Sequence, residues 1–332
     1  MPKRKFPWTR RRSRKKVDIK ESNAQSNSLF FSHLPQEIRD EVYRQVFSNT
    51  RLTFAASVRP KENSLALLRT CRRIRFEIGN TWLRYVLFNF GNPMDMVSKL
   101  GFLPIDIISE IRYIRVYDHY PIISWRSFYY NSLDLYPISG LQLDRLTVIS
   151  GGRSDRSYYW INHLIEFGDG WKELHYIHYT LHMLAFESSW SSEIHREPQP
   201  SHWQQVLEDR DTKLTKPLIT IYQSTKPGVF GSATDPDTRV ILAQAIRPDQ
   251  TADNYHRYRD HKLRDDYRNK EVLIIAKRGI GVDYKQKIGV DRDSLRKKLE
   301  HYILSYYIEL PTADVYTHPY EYNEEFHSSH NF

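Results

Sequence analysis

Three phrases of one form stand in series: Ile111-x-x-Ile114-x-Val116, Leu143-x-x-Leu146-x-Val148 and Trp171-x-x-Leu174-x-Tyr176, their starts 32 and 28 residues apart. The apolar residues that close each phrase alternate, as the inward side chains of a strand do. Between the second and third phrases, Tyr158, Ile161, Leu164 and Ile165 share one helical face that ends at Gly168. Strand, return helix and strand together make the unit of a parallel sheet, and a series of such units is how a leucine-rich solenoid is written. The phrases predict a mixed α/β fold in one of two forms. One is a leucine-rich-repeat-like array; the other is an ordinary α/β layer, which produces similar strand phrases.

Upstream lies a segment of helical period, Ser32 to Phe47. Pro35 suits a first helical position, and Glu37, Asp40 and Glu41 follow near the positive end of the helix dipole. Leu34, Ile38, Val42 and Val46 recur every four residues with Tyr43 and Phe47 beside them, which predicts an amphipathic helix docked through that stripe. A short strand is expected at Arg51 to Phe54, and Arg59 to Asn63 reads as a loop. A second helix is expected from about Ser64, with Leu67, Leu68, Cys71, Ile74 and Ile78 inward and its stop at Gly79-Asn80. Trp82 to Phe90 reads as a short helix running into a strand, broken by Gly91-Asn92-Pro93.

Periodicity alone makes these two ordinary helices, but their residue identities carry more. Leu34-Pro35-x-Glu37-Ile38-Arg39-x-x-Val42-Tyr43 is followed by Leu67-Leu68-Arg69-x-Cys71-Arg72-x-Ile74-x-x-Glu77. The pair resembles the paired helices that open the F-box-like proteins of filamentous fungi, over about residues 28 to 90. The resemblance implies a non-enzymatic substrate adaptor linking a target protein to a Skp1-cullin type ubiquitin ligase. Leu34, Pro35, Ile38, Val42 and Val46 would bind the Skp1-like linker, and the C-terminal region would select the target. The expected layout is a disordered basic tail over 1–28, an F-box-like helical unit over 29–92, an α/β target-binding domain over 93–310 and a loose tail over 311–332.

The formal net charge is +9, and where it sits decides its meaning. Residues 1 to 20 hold ten Lys or Arg against Asp18 alone, which accounts for the whole excess. A basic tail on a neutral body fits an address better than a nucleic-acid-binding domain, whose basic stripe runs over the folded surface. Lys3, Arg4, Lys5, Arg10, Arg11, Arg12, Arg14, Lys15 and Lys16 form the expected nuclear localisation signal, with nucleic-acid contact limited to weak tail contacts. The same tail supports an alternative: a nuclear interaction or structural protein with no ligase link. With Cys71 the sole cysteine, no run of about 18 apolar residues and no apolar signal core, the chain reads as nuclear or cytoplasmic without a membrane segment.

Motifs for chemistry are thin. His175, His178 and His182 cluster, but a strand here turns His175 and His178 to opposite faces, so no metal is expected. Gly279-Ile280-Gly281 lacks the third glycine of a dinucleotide turn, where Tyr284 stands. There is no P-loop and no G-x-S-x-G, and Asp265-Asp266 is generic, so neither a cofactor nor a catalytic residue is expected. Beyond His182 the chain reads as loop until a strand at Leu218 to Tyr222. Val272 to Ala276 reads as a buried strand, and a last helix is expected from Asp293 or Ser294.

Overall fold

The computed structural model describes residues 28–54, 65–118, 138–151, 154–185, 199–211, 215–231, 233–234, 242–246 and 270–287. Most of the basic tail, the loop at Arg59 to Asn63, Asp265-Asp266, the helix expected from Asp293 and the C-terminal tail lie outside them. The fold is mixed α/β. Its strands are β1 (Arg51–Phe54), β2 (Leu87–Phe90), β3 (Tyr113–Asp118), β4 (Leu143–Ser150), β5 (Trp171–His178), β6 (Leu218–Ser224), β7 (Leu242–Ile246) and β8 (Val272–Lys277).

All eight join one sheet in the order β1-β2-β3-β4-β5-β8-β6-β7. The first five are parallel and adjacent in chain order. β8 then lies antiparallel between β5 and β6, and β7 closes the far edge antiparallel to β6. The three phrases become β3, β4 and β5, set side by side in one register: Ile114 beside Leu146 beside Leu174, and Val116 beside Val148 beside Tyr176. The same rows continue outward through Phe88 and Phe90 of β2 to Leu52 and Phe54 of β1. These inward positions and the helices bury a continuous core from Tyr43 to Ala276, so the N-terminal helices share one sheet and one core with the C-terminal strands.

The helices are α1 (Leu29–Ser32), α2 (Gln36–Ser48), α3 (Ala66–Thr70), α4 (Arg72–Ile78), α5 (Pro93–Leu100), α6 (Ile105–Ile108), α7 (Ser154–Glu166) and α8 (Gln199–Asp211). None of the described helices is long and apolar enough to cross a membrane. α5 opens with Asn92 accepting from the Asp95 amide and with Pro93 in its first turn.

Three expectations are corrected. Pro35 stands outside α2 as its flanking residue, and its carbonyl accepts from Arg39 N at 3.1 Å. The single helix expected from Ser64 is two, because Cys71 is extended (φ −152°, ψ 158°) and its Sγ caps α4 by accepting from Ile74 N at 3.3 Å. The cysteine acts less as core filling than as the start signal for α4. The stretch expected as loop beyond His182 holds α8, whose Trp203 and Leu207 are fully buried against α7.

The C-terminal end of α8 is tied down by charge. Asp211 accepts a two-pronged pair from Arg278 Nε and Nη2, both at 2.6 Å, and both side chains are buried. Asp169 takes Arg278 Nη1 at 3.1 Å and Arg210 Nη2 at 2.7 Å. Arg210 also donates to the Ile165 and Gly168 carbonyls, groups left over at the end of α7. Burial opposes the Arg278 charge, but its bonds to Asp211 and Asp169 prevail and raise its pKa.

Candidate functional site

Two features stand apart from the core. The first is the outer side of α2. Its buried positions are Arg39, Tyr43 and Phe47, one residue on from the stripe that the sequence suggests. The stripe itself faces out: Ile38 is 50% exposed, Val42 38% and Val46 42%. Pro35 is exposed beside them and Leu34 half-buried. The helix is therefore docked by the residues that flank the expected stripe, and its every-fourth-residue apolar row is uncovered among the described residues.

The reason is a clasp between the two halves of the motif. Glu77 of α4 accepts from Arg39 Nε at 3.1 Å and Nη2 at 3.0 Å, from the Tyr43 hydroxyl at 3.0 Å and from Arg73 Nε at 3.0 Å. Arg39 Nη1 also donates to the Leu34 carbonyl at 2.6 Å, bracing the turn that leads into α2. Burial alone would raise the Glu77 carboxyl, yet the hydrogen bonds from Arg39, Arg73 and Tyr43 outweigh it and hold the pKa below the ordinary carboxylate range. Arg39 and Tyr43 lie four residues apart on one face, so satisfying Glu77 turns that face inward and Ile38, Val42 and Val46 outward.

The second feature is the sheet face opposite the helical core. The middle residues of the three strand phrases, Arg115, Thr147 and His175, point there, and Asn89 of β2 stands beside Arg115 in the same register. The neighbouring row is Leu87, Tyr113, Arg145, Glu173 and Lys277. Parallel strands covered on both sides are ordinarily apolar on both, so a polar row at this depth is a departure. Asn89, Arg115, Thr147 and His175 are all buried. Beside them a cavity of about 270 Å³ is lined by Tyr85, Leu87, Tyr113, Arg115, Arg145, Thr147 and His175, together with Arg44 and Ser48 of α2 and with Ala233 and Thr234.

Glu173 is the negative group in this row. His175 Nε2 is hydrogen-bonded to its Oε1, with Arg145 Nε at 3.7 Å and Lys277 Nζ at 3.8 Å. The His175 bond, against the opposing effect of burial and with the cationic charges behind it, brings the Glu173 pKa down to about 2. A carboxylate titrating near 2 when folded and near 4.5 when unfolded stabilises the fold in full above 4.5, and that contribution disappears as pH falls toward 2. Glu173→Gln is therefore expected to flatten the fall of Tm between those two pH values relative to wild type. Parallel Tm curves for the two proteins would contradict the assignment.

Other sequence candidates resolve as structure. His175 and His178 do face opposite sides of β5, and His178 Nδ1 lies 3.0 Å from the Thr180 carbonyl. His182 sits in the 3₁₀ turn Leu181–Ala185. No group of three His, Cys, Asp or Glu that could hold a metal occurs among the described residues. Gly279 has a packing reason, since a Cβ there would stand 2.5 Å from the Thr215 carbonyl and 3.1 Å from that of Asp211. The glycine lets the end of β8 pass against the connection between α8 and β6. The basic cluster of Lys3, Arg4, Lys5, Arg10, Arg11, Arg12, Arg14, Lys15 and Lys16 lies outside the described residues. Asn89, Arg115, Arg145 and Glu173 belong to no sequence motif for chemistry, although the recurring polar middle position of each phrase marks three of these four strands.

Comparison of the chain with protein-family models, curated proteins and solved structures finds no match.

Proposed function

We propose that the chain is a non-enzymatic F-box-like substrate adaptor, which docks a Skp1-like linker through the outer side of α2 and presents the rest of the fold to a target protein. The observation that carries this reading is the uncovered row of Ile38, Val42 and Val46 on a helix whose other side is locked by Glu77. Apolar side chains at i, i+4 and i+8 are the anchors of a helix that enters a partner's groove, and Pro35 and Leu34 extend the row at its start. The chain-ordered strands β3 to β5 fit the target-binding half as a leucine-rich-repeat-like array, with β8, β6 and β7 as an antiparallel cap.

The test is co-purification of the full chain with a Skp1 homologue. Wild type is expected to bring the homologue down, and Ile38→Asp combined with Val42→Asp to lose it. Because both positions are exposed, each substitution is expected to change stability by no more than about 0.5 kcal/mol. Absence of the homologue from the wild-type sample, or its retention by the double variant, defeats the adaptor reading. The concentration of cations in residues 1 to 20 favours a second reading, a nuclear interaction protein in which the tail is an address. That reading takes over where the linker fails to bind and deletion of residues 1 to 20 abolishes nuclear accumulation.

A further inference from the structure

We propose that the cavity beside the polar row of the sheet, bordered by Arg44 and Ser48 of α2, is a binding site for a small phosphate monoester, its oxyanion held by Arg145 and Arg115 and its organic body lying against Tyr85, Leu87 and Tyr113. The inference stands on the sheet's second face and needs neither the linker nor the outer side of α2.

Four observations converge on it. Arg51, Arg115 and Arg145 are near enough to repel: Arg115 lies almost wholly buried, and its burial together with the charges of Arg51 and Arg145 lowers its pKa to about 10, in spite of a hydrogen bond with Tyr117. A buried guanidinium with two half-buried ones near it calls for an anion to share. The carboxylate in this row, Glu173, is divided among His175, Arg145 and Lys277, and Arg145 approaches it no closer than 3.7 Å. Arg145 Nε is buried, makes no hydrogen bond and meets Glu173 only at ion-pair distance, and Arg145 lines the cavity.

The third observation is Asn89, fully buried next to Arg115 in register, with neither its amide nitrogen nor its amide oxygen hydrogen-bonded. A buried carboxamide left without partners costs free energy, and Asn89, which does not itself line the cavity, adjoins it through Arg115, which does. The fourth is the shape and lining of the space. At about 270 Å³ it falls just below the roughly 300–1,000 Å³ of pockets for drug-sized ligands, which suits a small molecule. Its lining combines Arg115, Arg145, Thr147 and His175 with Tyr85, Leu87 and Tyr113. Cationic donors and rings in one lining match an oxyanion joined to an apolar or aromatic body.

The experiment is titration of the full chain with inorganic phosphate, phenyl phosphate and a tyrosine-phosphorylated peptide, at constant ionic strength set with chloride. Phenyl phosphate is expected to bind saturably and more tightly than inorganic phosphate. Arg145→Gln is expected to weaken it by about tenfold or more, as loss of a charge-assisted pair does. Glu173→Gln, which releases Arg145 and Lys277 from their internal counter-charge, is expected to tighten it. Arg145→Lys, which keeps the charge and loses the fork, is expected to fall between wild type and Arg145→Gln, and serves in its place should that variant not fold. Lack of saturable phenyl phosphate binding, or binding that is indifferent to both substitutions, overturns the site. Equal affinity for inorganic phosphate removes the role of the tyrosines, and binding of the peptide without phenyl phosphate overturns the small-molecule assignment.

Discussion

Asp211→Asn is expected to destabilise the chain by about 3–5 kcal/mol, the cost of removing one partner from a buried ion pair. Arg278 stays where it is, with its Nε and Nη2 still aimed at a side chain that no longer carries charge. Asp169 cannot take over, because it already accepts Arg210 and is 42% exposed on its side chain. The loss also propagates, since Arg210 and Asp211 end α8 and Arg210 satisfies the last carbonyls of α7. Urea unfolding of the variant beside wild type reads the effect as a lower midpoint at unchanged slope. Asp169→Asn, at a more exposed position, is expected to cost less, and an equal or larger cost would place the pair's weight on the wrong aspartate.

Trp203→Ala is expected to cost a similar amount, about 3–5 kcal/mol, for a different reason. Trp203 is fully buried, its ring stacks on Tyr158 with centroids 5.5 Å apart, and its Nε1 donates to Asn162 Oδ1 at 3.1 Å. Truncation opens a cavity between α7 and α8 that neither helix can close, since α7 is fixed to the sheet by Ile161, Leu164 and Ile165. Combined with Asp211→Asn, the loss should be less than the sum of the two. Either change loosens α8, and a helix already released has less left to lose. Full additivity in urea would mean that the two ends of α8 hold independently.

The parallel half of the sheet is legible in the sequence because its signal is apolar and periodic. Ile114, Leu146 and Leu174 announce β3, β4 and β5, and pairing then sets them side by side. β1 and β2 are expected as strands as well, but their place in the same rows is not, because Phe54, Phe88 and Phe90 fill the positions with aromatic residues and their phrases lack the aliphatic opening. α8 is hard to see because Trp203 and Leu207 are few apolar residues among many polar ones, and its attachment through Asp211 and Arg278 joins positions 67 residues apart. On α2 the motif is plain and its orientation is not. Glu77 lies 38 residues from Arg39, and only that pairing tells which of two adjacent apolar rows turns inward. The cavity residues are hidden for a related reason: Arg115 and Arg145 look like ordinary solvent-side positions until β2 to β5 bring them together.

The place of β8 has a consequence for synthesis. β2 to β5 each pair with the strand made just before, so that part of the sheet can grow as the chain leaves the ribosome. β6 cannot join them directly, because β8 lies between it and β5. Until residues 272–277 emerge, the backbone edges of β5 and β6 that will receive β8 have no strand to pair with, and such edges invite association between nascent chains. A ribosome stalled before Val272 thus carries a nascent chain whose sheet is still divided.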